Sequence, residues 1–100
     1  SNSNKFSLKG KLLDDNGKPI KGGVILGWNK YWKSSYHTIT KEDGSFELLG
    51  SFPFYHWMAS ASKYGKVRGD IDPDSAKVNE NNIPSMDLGQ LIIEPLSFLD

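Results

Sequence analysis

The sequence contains no cysteine, a single arginine (Arg68) and only two histidines, His37 and His56. The absence of cysteine excludes thiol catalysis, cysteine-ligated metal centres and a disulfide framework. A zinc site would need the two histidines to converge with a carboxylate, and a catalytic dyad would need a nucleophile beside one of them. Their separation shows no metal-ligand spacing, so we interpret both as ordinary strand residues. We therefore expect no catalytic residue, no metal, no cofactor and no enzymatic activity.

Neither sign of charge dominates, because twelve basic and twelve acidic residues are scattered along the chain. A nucleic-acid-binding protein typically has a basic face, so we predict no nucleic-acid partner. No run of about 18 apolar residues occurs, and we predict no membrane-spanning segment. A chain of 100 residues is long enough for one hydrophobic core but not for two, which predicts a single domain over 1–100.

Strand signals recur at seven places, at 6–12, 23–28, 36–40, 46–49, 54–62, 67–71 and 86–95. Most show alternation of apolar and polar residues with period two, 23–28 has instead a central apolar run that predicts burial on both faces, and 67–71 is a candidate short strand in a region without a sustained period. Asn16-Gly17 predicts a tight turn, and Asp43-Gly44, between two alternating runs, predicts a β-hairpin. The rest of 63–84 lacks a period and is predicted to be a long loop. Without helical periodicity elsewhere, the pattern predicts an all-β fold, a seven-stranded antiparallel Greek-key β-sandwich.

The two ends of the sequence differ in character from the rest. The start, at 1–4, is polar and lacks the charged and apolar regions of a signal peptide. We expect it to be disordered or foreign to the natural chain, with any targeting signal already removed. The end, at 96–100, is apolar for a terminus and is expected to pack back on the domain or to lead into a linker.

Four segments resemble carboxypeptidase regulatory-like domains, which are sandwiches of the transthyretin-like kind. They are 8–25, with its acidic Asn-Gly turn and following proline; 38–46, with its Asp-Gly turn and following aromatic residue; 55–65, with a later strand and its small-residue corner; and the closing strand at 87–91. Such domains are accessory modules of exported bacterial proteins, including surface lipoproteins. The resemblance therefore implies a non-catalytic structural or interaction module in the periplasm or on the cell surface, with a lipoprotein anchor on the full precursor as one option.

Enzymes of related topology need residues that this sequence does not supply. Transthyretin-like hydrolases use several histidines and an arginine together with a carboxyl-terminal signature. Intradiol dioxygenases bind iron with two tyrosines and two histidines, in a much larger chain. Neither pattern is present here, which agrees with the prediction of a non-catalytic module.

Four aromatic residues, Trp28, Tyr31, Trp32 and Tyr36, lie within nine positions of one another. Aromatic rings beside polar groups suit a sugar face or a protein interface, because the ring stacks while its neighbours form hydrogen bonds. Alternatively, Trp28 belongs to the core and the other rings brace a loop. We predict Tyr31, Trp32 and Tyr36 as ligand or interface residues, Tyr31 and Trp32 being the most exposed. The partner would be a protein, or a polysaccharide if the chain is a small carbohydrate-binding module.

Asp70, Asp72 and Asp74 place three carboxylates on alternate positions of the region 70–80. Calcium is bound by oxygen ligands at such offsets in loop sites. However, Ser75 occupies the position at which an EF-hand loop needs glycine, and Pro73 stiffens the segment. We therefore interpret this region as a solvated acidic loop, with calcium binding as the alternative.

Overall fold

The computed structural model describes residues 5–97 and contains eight strands and one turn of 3-10 helix. The strands are β1 (Phe6–Leu13), β2 (Val24–Trp28), β3 (Ser35–Ile39), β4 (Ser45–Gly50), β5 (His56–Ser60), β6 (Lys66–Asp70), β7 (Lys77–Val78) and β8 (Pro84–Ile92), and the 3-10 turn is Pro73–Ser75. Among these residues, no helix is long and apolar enough to cross a membrane. The predicted disordered start at 1–4, and 98–100 of the predicted tail, lie outside the described residues.

The strands form two four-stranded sheets, in the orders β4-β1-β8-β7 and β3-β2-β5-β6. The predicted all-β sandwich is confirmed. The prediction of seven strands is wrong because β7 lies in the region predicted to be a loop, and two residues are too short to show alternation. The prediction that all strands pair antiparallel is also wrong, since β1 and β8 pair in parallel. The Greek-key connection is not confirmed.

The turn at Asp43-Gly44 forms as predicted, but it does not close a hairpin. Gly44 has a φ of +82°, and the Asp43 carboxylate accepts hydrogen bonds from the Ser45 N–H at 3.0 Å and hydroxyl at 2.6 Å. These two bonds lower the pKa of Asp43. The flanking strands β3 and β4 belong to different sheets. β4 pairs with β1 instead, which places Leu48 opposite Leu8 and buries both side chains between the sheets.

The core is centred on Phe54, which is fully buried. Its ring meets those of Phe6 and Phe52 edge-to-face, with centroids 5.6 and 5.7 Å apart. A Cβ atom on Gly27 would lie 2.9 Å from the Phe54 ring, and one on Gly50 would lie 2.6 Å from it. The ring therefore occupies space that only glycine leaves free on these two strands, and Gly27 marks a close approach inside a regular strand.

We expect the substitution Gly50→Ala to destabilise the protein by about 1–3 kcal/mol, because the new methyl group would overpack the core against Phe54. Gly65→Ala is the matched control, since a Cβ atom there would meet only the Glu94 carbonyl oxygen, at 3.7 Å. Its effect should stay within about 0.5 kcal/mol. Equilibrium urea denaturation measures both values. Equal losses in the two variants would contradict the role assigned to Phe54.

Candidate ligand-binding site

Three strands place Trp28, His56 and Asp70 side by side on the outer face of one sheet. Trp28 on β2 pairs with His56 on β5, and His56 pairs with Asp70 on β6. Successive side chains of a strand point to opposite faces. Because Gly27 faces Phe54 in the core, its neighbour Trp28 faces outward. The loop at 29–34 then brings Trp32 over this row, and we call the four residues the Trp32 platform.

The indole ring of Trp32 is stacked flat on the imidazole of His56. Their ring centroids are 3.8 Å apart and their planes differ by 7°. Trp28 supports the same indole from a tilted position, with centroids 5.3 Å apart. Trp32 nevertheless remains 54% exposed. Since the histidine covers one face of the ring, the exposed surface lies on the other face and the edges.

The loop holds Trp32 in a backbone conformation that bulky residues rarely adopt. Its φ is +61°, in the left-handed region, where a non-glycine residue costs about 1–3 kcal/mol. Asn29 supplies the restraint: its side-chain Oδ1 accepts from the N–H groups of Lys33 at 2.8 Å and Ser34 at 3.2 Å. Its carbonyl oxygen also accepts from the Trp32 N–H at 3.2 Å. The loop is therefore closed internally, and the indole is held in place before any ligand arrives.

Both ring nitrogens of His56 face hydrogen-bond acceptors of the protein. Nδ1 lies 2.8 Å from Asp70 Oδ1, and Nε2 lies 3.2 Å from the carbonyl oxygen of Lys30. A neutral imidazole has one N–H, so only the doubly protonated ring donates to both acceptors at once. Trp32 covers one face of this ring, and the imidazole supports the indole.

The structure separates the three residues predicted as a ligand site. Tyr31 is 70% exposed, and its ring lies 5.6 Å from the ammonium group of Lys30. Trp32 lies on the platform described above. Tyr36 pairs with Gly27, so its ring points toward the core side of the sheet. It packs on the ring of Phe52, with the two ring centroids 5.1 Å apart. Tyr31 and Trp32 thus share an exposed loop, whereas Tyr36 belongs to a different aromatic cluster.

A cavity of about 220 Å³ opens beside the platform, at the edge strand β6. Its lining is apolar except for one cationic and one anionic side chain; the lining residues are Trp28, Trp32, Trp57, Met58, Arg68, Gly69 and Asp70. Apolar walls with a few convergent polar groups are the usual composition of a small-ligand site.

Sequence reasoning missed the contributions of His56, Asp70 and Arg68 to this site. The signal that could have found them is the register of the hairpin formed by β5 and β6. A turn centred on Lys63, which has a positive φ of 70°, pairs His56 with Asp70. Because 63–84 is predicted to be mainly loop, the sequence predicts no pairing of β5 with β6 and does not place His56 beside Asp70.

The acidic region at 70–80 has structural partners for its first two carboxylates. Asp70 pairs with His56. Asp72 caps the short 3-10 turn, since its Oδ1 accepts from the Asp74 N–H at 3.0 Å. Among residues 5–97, no group of three or more histidine, aspartate or glutamate side chains is placed to hold a metal ion. Two of the three alternating carboxylates, those of Asp70 and Asp72, therefore have partners within the protein.

No protein-family model matches the sequence, and no curated protein matches it. Solved structures do match the fold. The hydroxyquinol 1,2-dioxygenase of Pseudomonas putida DLL-E4 superposes with a TM-score of 0.66 at 14% identity, over 96% of this chain and 58% of its own. The 3-chlorocatechol 1,2-dioxygenase of Rhodococcus opacus 1CP gives 0.65 at 12% identity, over 94% and 61%.

A third structure is the dioxygenase domain of a dioxygenase–carbohydrate-binding protein fusion from Streptomyces sp. SirexAA-E. It has a TM-score of 0.64 at 15% identity, over 94% of this chain and 82% of its own. The chain spans about three-fifths of the length of the first two dioxygenases. At these identities the likeness shows the fold alone.

The iron centre of intradiol dioxygenases, held by two histidines and two tyrosines, does not fit the residues of this chain. His37 on β3 and His56 on β5 are separated by the intervening strand β2, which puts their backbones at least about 9 Å apart. Trp32 is stacked on the ring of His56, and the two nitrogens of that ring face Asp70 and the carbonyl oxygen of Lys30.

We expect His56→Ala to leave Trp32 without its support and to lower stability by about 1 kcal/mol, the usual worth of an aromatic stack. With 5-fluorotryptophan incorporated, the solvent isotope shift of the Trp32 fluorine should increase as the ring becomes more hydrated. The resonance is assigned with Trp32→Phe. His37→Ala is the matched control, because His37 is exposed on β3. An unchanged Trp32 resonance in His56→Ala would show that the stack does not hold the ring.

Proposed function

We propose that this chain is a non-catalytic interaction module of an exported bacterial protein, and that it contacts its partner through the Trp32 platform and Tyr31. The observation that carries the proposal is a rigid, exposed indole in a strained loop. Binding surfaces are commonly anchored by such aromatic residues. A ring that is already fixed loses little conformational entropy on binding.

The non-catalytic part of the proposal is supported by how the histidines are used. General acid–base catalysis needs a side chain within hydrogen-bond reach of the substrate proton. His56 instead directs both nitrogens at Asp70 and at the Lys30 carbonyl group. His37 is exposed on the other side of β2, too far to act with it.

The exported location and the accessory role are supported by the resemblance to carboxypeptidase regulatory-like domains. The residues carrying that resemblance are turn residues, and two of them are used as such here: Gly17 and Gly44 have φ values of +79° and +82°. Such positions favour glycine for steric reasons. These turn residues support a sandwich fold shared with that family. They say nothing about the partner, whose identity depends on the residues at the surface.

This proposal predicts that a photo-crosslinking residue at position 32 captures a defined partner in the native host. The same residue at Leu49 is the matched control, because Leu49 is similarly exposed, at 45% against 54%, but lies on β4 in the other sheet. A specific adduct, identified by mass spectrometry, is expected from position 32 alone. Adducts of the same mass and yield from both positions would contradict a contact surface at the platform.

A second candidate, a small carbohydrate-binding module, is favoured by the flat and half-exposed ring of Trp32. One indole face lies on His56, which leaves the other to stack on a sugar ring, while Tyr31 offers a second exposed ring in the same loop. Apolar stacking combined with polar neighbours suits such a ligand. Tyr36 is not included, because it packs on Phe52.

For this candidate, titration with a panel of soluble polysaccharides should change the intrinsic fluorescence of the protein. Trp32→Ala should weaken the binding at least about 10-fold, as expected for a hot-spot aromatic residue. Tyr36→Phe is the control: it keeps the ring that packs on Phe52 and should bind like the unmodified protein. The carbohydrate candidate would be eliminated if no polysaccharide of the panel changed the fluorescence, or if Trp32→Ala bound as tightly as the unmodified protein.

A further inference from the structure

The cavity beside the Trp32 platform has the size of a subsite for one ring. Its volume is about 220 Å³, below the roughly 300–1,000 Å³ of sites for drug-sized ligands. Trp32 and Met58 give it apolar surface, while Arg68 and Asp70 reach it from the edge strand β6. A ligand that fills it therefore needs one apolar face and polar groups on its rim.

Cationic side chains outnumber carboxylates around this cavity. Its lining holds one charged side chain of each sign, Arg68 and Asp70, and the Oδ1 atom of Asp70 lies 2.8 Å from the imidazole of His56. Within residues 5–97, the guanidinium group of Arg68 has neither an ion-pair nor a hydrogen-bond partner. Lys30 and Lys33, in the loop that carries Trp32, also have no carboxylate partner in the described part of the chain. Three cationic side chains therefore accompany the carboxylate of Asp70 in and beside the loop of the indole.

An unpaired guanidinium group presents a planar fork that matches a carboxylate, because two parallel N–H groups donate to its two oxygens. A neutral sugar would stack on Trp32 but would leave this fork unused. An anion without a ring would engage Arg68 but would leave the indole without a partner. Both features are used together by a sugar ring that carries a carboxylate.

We infer that this cavity binds a hexuronate residue of an acidic polysaccharide. The pyranose ring stacks on the free face of Trp32, and its carboxylate is paired with Arg68. A ring hydroxyl donates to the oxygen of Asp70 that His56 leaves open. This inference rests on the carbohydrate-binding candidate above and adds the charge of the ligand to it.

Calorimetric titration with oligogalacturonate and with its methyl ester tests the inference, since the two probes share ring and linkage and differ in charge. At low salt the acid should bind at least about 10-fold more tightly than the ester, and added salt should narrow the difference through screening. Arg68→Met should bring the ratio of acid affinity to ester affinity to about one. Trp32→Ala should weaken the binding of both probes. Oligomannuronate, a second oligosaccharide of hexuronate residues, tests whether the site accepts a different uronate. Its binding would support the inference.

Arg68 is exposed on an edge strand, so the Arg68→Met variant is expected to fold, which circular dichroism verifies. If the ester binds as tightly as the acid and both depend on Trp32, the inference is overturned but the carbohydrate candidate stands. If neither probe nor any neutral polysaccharide binds, both are overturned. If polyglutamate binds with the same dependence on Arg68, the site recognises a carboxylate without needing a sugar ring, and the inference is wrong.

Discussion

The position of the Trp32 platform depends on the packing of Phe54 against two glycines. Gly27 on β2 and Gly50 on β4 belong to different sheets, and the ring of Phe54 fills the space between them at distances that exclude a Cβ atom. The next residue, Tyr55, donates its N–H to the Trp28 carbonyl oxygen at 2.9 Å. This bond begins the pairing of β2 with β5, which sets His56 beside Trp28. The geometry of the platform is therefore a consequence of the core.

The platform in turn stabilises a loop that its own backbone disfavours. The left-handed conformation of Trp32 costs free energy, and so does the exposure of an indole ring to water. The bonds to Asn29 and the stack on His56 offset part of that cost. The result is an indole that is 54% exposed and yet held in one orientation on the outer face of the sheet.

The parts of the fold that follow from local sequence could be predicted, and those that depend on distant pairing could not. Alternation and one apolar run located seven of the eight strands, and the glycines at positions 17 and 44 located two turns. The Asp43-Gly44 turn nevertheless connects two sheets, because β4 pairs with β1, with Leu48 opposite Leu8, and not with β3. The parallel pairing of β1 with β8 joins Ser7 to Ser85, a choice that no local pattern encodes.

The candidate site shows the same division between local and non-local information. Exposure of Tyr31 and Trp32 followed from a polar, aromatic loop, whereas Tyr36 needed the register of β3 on β2, which turns its ring toward Phe52. The role of His56 needed the pairing of β5 with β6. A shared sandwich fixes where the strands run, whereas the use of each side chain follows from its own contacts, as the two nitrogens of His56 show by facing Asp70 and the carbonyl oxygen of Lys30.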